Sequence, residues 1–60
     1  MTGKDALEMA LQNEIEAEQT YMEFASKFPE VKDMFAFLAE QERSHQQLIG
    51  SLIAELGNKK

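Results

Sequence analysis

Ser26-Lys27-Phe28-Pro29-Glu30-Val31-Lys32-Asp33, residues 26 to 33, is the one stretch of the chain where a helical pattern has to break. Pro29 has no N–H to donate and its ring clashes with the preceding turn, so a helix interior excludes it, yet its fixed φ suits the first turn of a new helix. Glu30 and Asp33 behind it put negative charge at the positive end of that helix. The chain should therefore divide here into two helices.

Outward from that break the residues are mostly strong helix formers, with β-branched side chains scattered among them. Toward the N-terminus a helix is expected over about residues 4–27, with Thr2 as its cap and Asp5 completing a capping box. The turn falls near 28–29. Toward the C-terminus a second helix is expected over about residues 29–56, stopped by Gly57-Asn58 in the manner that uses a left-handed residue. So short a connection makes the helices antiparallel neighbours. The fold class is all-α: residues 1–60 form a single helical-hairpin domain without repeats or low-complexity segments.

A chain of 60 residues buries too small a fraction of its surface to be comfortably stable alone, so help from outside the single chain is expected. There is no cysteine, which excludes disulfides and thiolate metal sites and leaves oxygen and nitrogen as metal donors. Eleven acidic residues against six basic give a formal charge of -5. The single basic cluster is Lys59-Lys60, so no nucleic-acid footprint is expected. The first twelve residues alternate charged and apolar types instead of forming a secretory signal. No run approaches the roughly 20 apolar residues of a membrane span. A cytoplasmic protein is the default expectation.

Heptad spacing marks the faces expected to be buried. On the first helix Leu7, Glu14, Tyr21 and Phe28 run beside Leu11, Glu18, Ala25 and beside Ala10, Ala17, Phe24. On the second the rows are Val31, Leu38, His45, Leu52 and Phe35, Glu42, Ile49, Leu56, flanked by Met34, Gln41, Leu48. Facing residues of an antiparallel hairpin have numbers that sum to a constant, about 56 to 58 for this turn, and Glu14 with Glu42 meets that condition. Both carboxylates lie roughly 21 Å from the turn, with His45 one turn further along. Charges left there without a partner cost on the order of several kcal/mol each, a problem that a metal ion removes. Glu42-Arg43-Ser44-His45 is a Glu-x-x-His motif whose i, i+3 spacing puts both ligands on one helix face. Two such hairpins about a two-fold axis would supply four Glu and two His, the ligand set of carboxylate-bridged di-iron and di-manganese bundles.

Over essentially its whole length the chain resembles a minimal member of the rubrerythrin and ferritin-like superfamily. The resemblance rests on Glu14-x6-Tyr21 in the first helix and Phe35-x2-Leu38-Ala39-x2-Glu42-x2-His45 in the second. It implies that the hairpin dimerises into a ferritin-like four-helix bundle, with Glu14 a terminal ligand, Glu42 a bridging ligand, His45 a terminal imidazole and Tyr21 a phenol near the metals. It further implies two iron ions per dimer and oxidation of Fe(II) by oxygen or peroxide, a ferroxidase or peroxidase-type chemistry. Single-hairpin relatives such as the encapsulated ferritins carry the same pattern and build the site across a subunit interface, so a homodimer at least, or a larger ring of dimers, is expected. The chain departs from full-length rubrerythrins in offering one hairpin and no cysteine-bearing rubredoxin module, so electron transfer through such a module is not expected within this polypeptide. Leu48-Ile49-Gly50-Ser51-Leu52 is similar to the cargo tag of encapsulin-targeted proteins. Because it continues a helix instead of following a flexible tail, an encapsulin shell is only the lesser partner expectation.

Several residues admit plainer readings. Glu18, one turn past Glu14 at the edge of the stripe, is open between an additional metal ligand, a carboxylate on the path of arriving iron, and a solvated edge, the last being preferred. Tyr21 fills interior space whatever else it does. Gln41 reads as a hydrogen-bonding or merely polar interface residue. The four Met with Phe24, Phe28 and Phe35 read as core filling, and Phe37 as exposed. Glu8, Glu16, Glu23, Glu30, Asp33, Glu40 and Glu55 read as a solvated face. Gly50 weakens the second helix and either admits a close helix approach or does nothing. Carboxylate and imidazole also suit manganese and zinc, so a structural metal site without redox turnover is one alternative. Another is a metal-free helical homodimer, a structural or interaction module whose register is set by Glu14, Glu42 and His45.

Overall fold

The computed structural model describes residues 1–57; Asn58 of the expected helix stop, and Lys59 with Lys60, lie outside them. Two antiparallel helices, α1 (Gly3–Lys27) and α2 (Lys32–Gly57), are joined by a short 3-10 turn at Pro29–Val31. The chain is an all-α hairpin. The capping box forms as its spacing predicts: the Asp5 N–H donates to the Thr2 hydroxyl oxygen at 3.1 Å, and the Thr2 N–H donates to the Asp5 carboxylate at 3.0 Å.

At the other end of α1, Phe28 stands at φ -125°, ψ 81°, because the ring of the following proline drives its neighbour out of the helical region. Its N–H still reaches the Phe24 carbonyl at 2.9 Å. The second α-helix begins at Lys32 instead of Pro29, since the proline turn is wound more tightly, with the Val31 N–H donating to the Phe28 carbonyl at 3.0 Å. At the C-terminus α2 continues through Gly57, and no glycine among the described residues has a positive φ. The left-handed stop expected at Gly57 is thus absent there: Gly57 extends the helical ladder instead of reversing it.

The Cα atoms span 50 × 18 × 10 Å, a slab two helices wide and one helix deep. Such a slab has almost no interior. Ala39, 4% exposed, is the one buried residue among those described. The surface of 4638 Å² exceeds by several hundred Å² the about 4,000 Å² expected of a compact chain of this mass. An aromatic cluster closes the turn end, with Phe24 edge-on to Phe35 at 5.3 Å and to Phe28 at 6.1 Å, and Tyr21 stacked on Phe35 at 6.0 Å.

One neighbouring helix covers only part of a helix's circumference, and this corrects the expected burial. On α2 the half-buried inner face carries Phe35, Glu42 and Ile49 with Gln46 and Ile53, whereas Leu38, His45 and Leu52 stand at its exposed flank with Met34 and Leu48. The methionines do not fill a core: Met1, Met9, Met22 and Met34 are all exposed, and so is Phe28. Phe37 is exposed as expected, as are the seven acidic positions assigned to the outer face. Among the described residues no helix is long and apolar enough to cross a membrane.

Candidate metal centre

Halfway along the hairpin the inner rows turn polar. Glu14 comes from α1, Glu42 and His45 from successive turns of α2, and the three offer ligand atoms that all lie within 4.8 Å of one another. The His45 Nδ1 is 3.1 Å from Glu14 Oε2 and 3.9 Å from Glu42 Oε2. The register that places Glu14 opposite Glu42 is the one that stacks Tyr21 on Phe35, since both pairs obey the same facing relationship across the turn.

Electrostatics divides the two carboxyls. A hydrogen bond from Glu42, and after it one from His45, holds the Glu14 carboxyl below its ordinary range. The same bond to Glu14, with desolvation and the Glu14 charge behind it, pushes Glu42 up. The two carboxyls therefore titrate as a pair, Glu14 ionising before Glu42. An ionised Glu14 only accepts, so in the metal-free protein His45 donates to it from Nδ1, and that proton has to leave before Nδ1 can bind a metal. The carboxylates are sheltered, at 27% and 17% exposed for Glu14 and Glu42, while the His45 side chain is 53% exposed. Three oxygen and nitrogen donors, one of them presented outward, can hold a divalent cation, but they are fewer than a closed first-row metal site requires.

Glu18 is not part of this trio. Its Oε2 accepts from Arg43 Nε at 3.2 Å and Nη2 at 2.9 Å, and its Oε1 accepts from Gln46 Nε2 at 2.6 Å. Gln46 first, then Arg43, hold its carboxyl below the ordinary range. Tyr21 lies one heptad nearer the turn than Glu14, and among the described residues no hydrogen bond joins its hydroxyl to the trio. Arg43 and Gln46 were not singled out by the sequence, and Gln41, which was, is exposed. The signal for Gln46 is its row, Ala39-Gln46-Ile53, which faces Leu11-Glu18-Ala25. Gly50 makes no close approach to α1, because a Cβ built there meets nothing within 4 Å.

A profile of the Rubrerythrin family matches residues 5–60. No curated protein and no solved structure matches the chain. The matched span takes in both helices with Glu14, Glu42 and His45, and the chain belongs to the rubrerythrin family.

Proposed function

We propose that Glu14, Glu42 and His45 bind iron, and that a second copy of the chain docks on the flank carrying Leu38, His45 and Leu52 to complete a two-iron centre with four Glu and two His. The observation that carries this reading is the convergence of three donor atoms within 4.8 Å from two helices, in a chain of the rubrerythrin family. The donor set fits the metal: carboxylate oxygens and imidazole nitrogen hold iron in both common oxidation states. The exposed flank and the surplus surface fit a partner, since a standard interface buries about 800 Å² per side.

Iron at this position would supply electron exchange with oxygen or peroxide, giving Fe(II) oxidation or peroxide reduction. The chain's own part is to bring the Glu14 and Glu42 carboxyls and the His45 ring together from two helices and to release the protons they carry as the metal binds. Tyr21, packed on Phe35, would stand close to the centre as a phenol that does not bind metal. The test is elemental analysis and solution mass of anaerobically purified protein. Two iron atoms per dimer are expected, with Glu42→Ala and His45→Ala losing iron while remaining helical. Unchanged iron stoichiometry in either variant would overturn the reading.

A second reading is favoured by one observation, that the trio is already linked through the Glu14–His45 hydrogen bond, with Glu42 3.9 Å from the same His45 nitrogen. It is then a polar layer that sets register in a metal-free homodimer, or one that holds zinc or manganese structurally. Melting unaffected by chelator and by added Fe(II) would select the metal-free form. Zinc or manganese in place of iron in the purified protein would select the structural one.

A further inference from the structure

Glu18, Arg43 and Gln46 join the helices through a polar cluster of their own. Beside the three bonds to the Glu18 carboxylate, Gln46 Nε2 also donates to the Glu14 backbone carbonyl at 3.4 Å. Glu18 is the sheltered member, 16% exposed, and Arg43 lies over it at 57%. Each member is tied by helix geometry to the trio: Glu18 is one turn beyond Glu14, Arg43 follows Glu42, and Gln46 follows His45. Successive residues are turned by about 100° around a helix, so Arg43 lies to one side of the helix contact and His45 to the other, with Glu14, Glu18, Glu42 and Gln46 between them.

Something has to hold the register at this level. On its turn side the apolar side chains next to it, Ala17 and Ala39, are too small to interdigitate. Arg43 and Gln46, which bind both oxygens of Glu18, hold α1 to α2 beside the level where the ligands converge.

We infer that Glu18, Arg43 and Gln46 are positioning residues, a clamp that fixes the spacing and register of the two helices so that Glu14 reaches Glu42 and His45. The clamp rests on the iron-site reading only for what it positions. Glu18 is then committed to Arg43 and Gln46 and is not a ligand.

Charge reversal separates the possibilities. The probe is Co(II), titrated by its absorption into wild type, Glu18→Arg, Arg43→Glu and the double variant that swaps the charges, with helicity followed by circular dichroism. The clamp predicts that both single variants weaken Co(II) binding by about tenfold, the lower end for groups that orient metal ligands, and that the double variant restores it. A purely electrostatic role predicts the opposite for Arg43→Glu, which adds negative charge beside the site and would tighten binding; that result overturns the clamp. A ligand role for Glu18 predicts no rescue in the double variant, and a helical but unrescued double variant overturns it as well. Should the single reversals unfold, Arg43→Lys, which keeps the charge but loses the two-pronged bond, is expected to weaken Co(II) binding in a folded protein, and unchanged binding overturns the clamp. The metal-free protein gives a readout independent of the iron site, the 15N shift of His45 Nδ1. It is expected to move in the single variants as the Glu14 bond is lost and to return in the double. If wild type binds no Co(II), the metal reading falls, and this shift alone decides the clamp.

Discussion

His45 Nδ1 and Glu14 Oε2 stand 3.1 Å apart across the hairpin, joining residues 31 positions apart in sequence. That bond ties the turn of α2 bearing the Glu-x-x-His motif to α1 and makes three separate side chains one group of donors. A cation entering the group binds the folded hairpin and not the unfolded chain. At a free concentration of 100 times Kd it should add about 2.7 kcal/mol of stability. Thermal melts with anaerobic Fe(II) or with Co(II) should show the rise, chelator should remove it, and His45→Ala should not show it.

Acidity should act on the metal-free protein through the Glu14–Glu42 pair with opposite signs. Glu42 is raised by its bond to Glu14, so its contribution is whole below the ordinary glutamate range and is lost as pH rises through its folded value. Glu14 is lowered, first by Glu42 and then by His45, so its contribution is whole above that range and is lost as pH falls through its folded value. The pair therefore stabilises most between the two values and less toward neutrality. Glu42→Gln keeps a donor for Glu14 without the second charge. The difference in metal-free Tm between this variant and wild type should grow in the variant's favour from acidic to neutral pH.

The apolar flank of α2 should be the dimer face. Leu38 and Leu52 border His45 on it and are 40% and 41% exposed in the single hairpin. A charge in that row would be desolvated without a partner when a second copy docks. Leu38→Glu or Leu52→Glu should shift the solution mass from two chains to one, read by light scattering or sedimentation, and should lose Fe(II) binding with it. Met22→Ser, on the opposite side of the hairpin beside Ala39 and Arg43, should leave both unchanged.

Two helix positions should respond in opposite directions. Thr2→Ala removes one half of the capping box and should cost about 1 kcal/mol. Gly50→Ala places a methyl where nothing lies within 4 Å, in helical backbone, and should gain up to ~1 kcal/mol. Urea unfolding measures both. A loss at Gly50→Ala would indicate a partner helix lying against that point.

Local chemistry made much of this protein legible from residues alone. Pro29 divides two helices because a missing N–H and a fixed φ act within one turn, and Thr2 with Asp5 begins α1 because a capping box needs only three residues of separation. The facing of Glu14 and Glu42 followed from a short turn and a constant rise per residue, and their spacing to Tyr21 and His45 carries the family resemblance that residues 5–60 bear out. Heptad rows could not say which side of each stripe meets the other helix, because an amphipathic stripe is wider than one neighbour can cover. Only the tertiary structure decided that Gln46 and Ile53 turn inward while Leu38, His45 and Leu52 remain at the flank. The commitment of Glu18 to Arg43 and Gln46, and the opposite shifts of the Glu14 and Glu42 carboxyls, were likewise decided there. Such pairings depend on contacts between side chains 25 to 31 positions apart, and those distances exist only once the helices have docked.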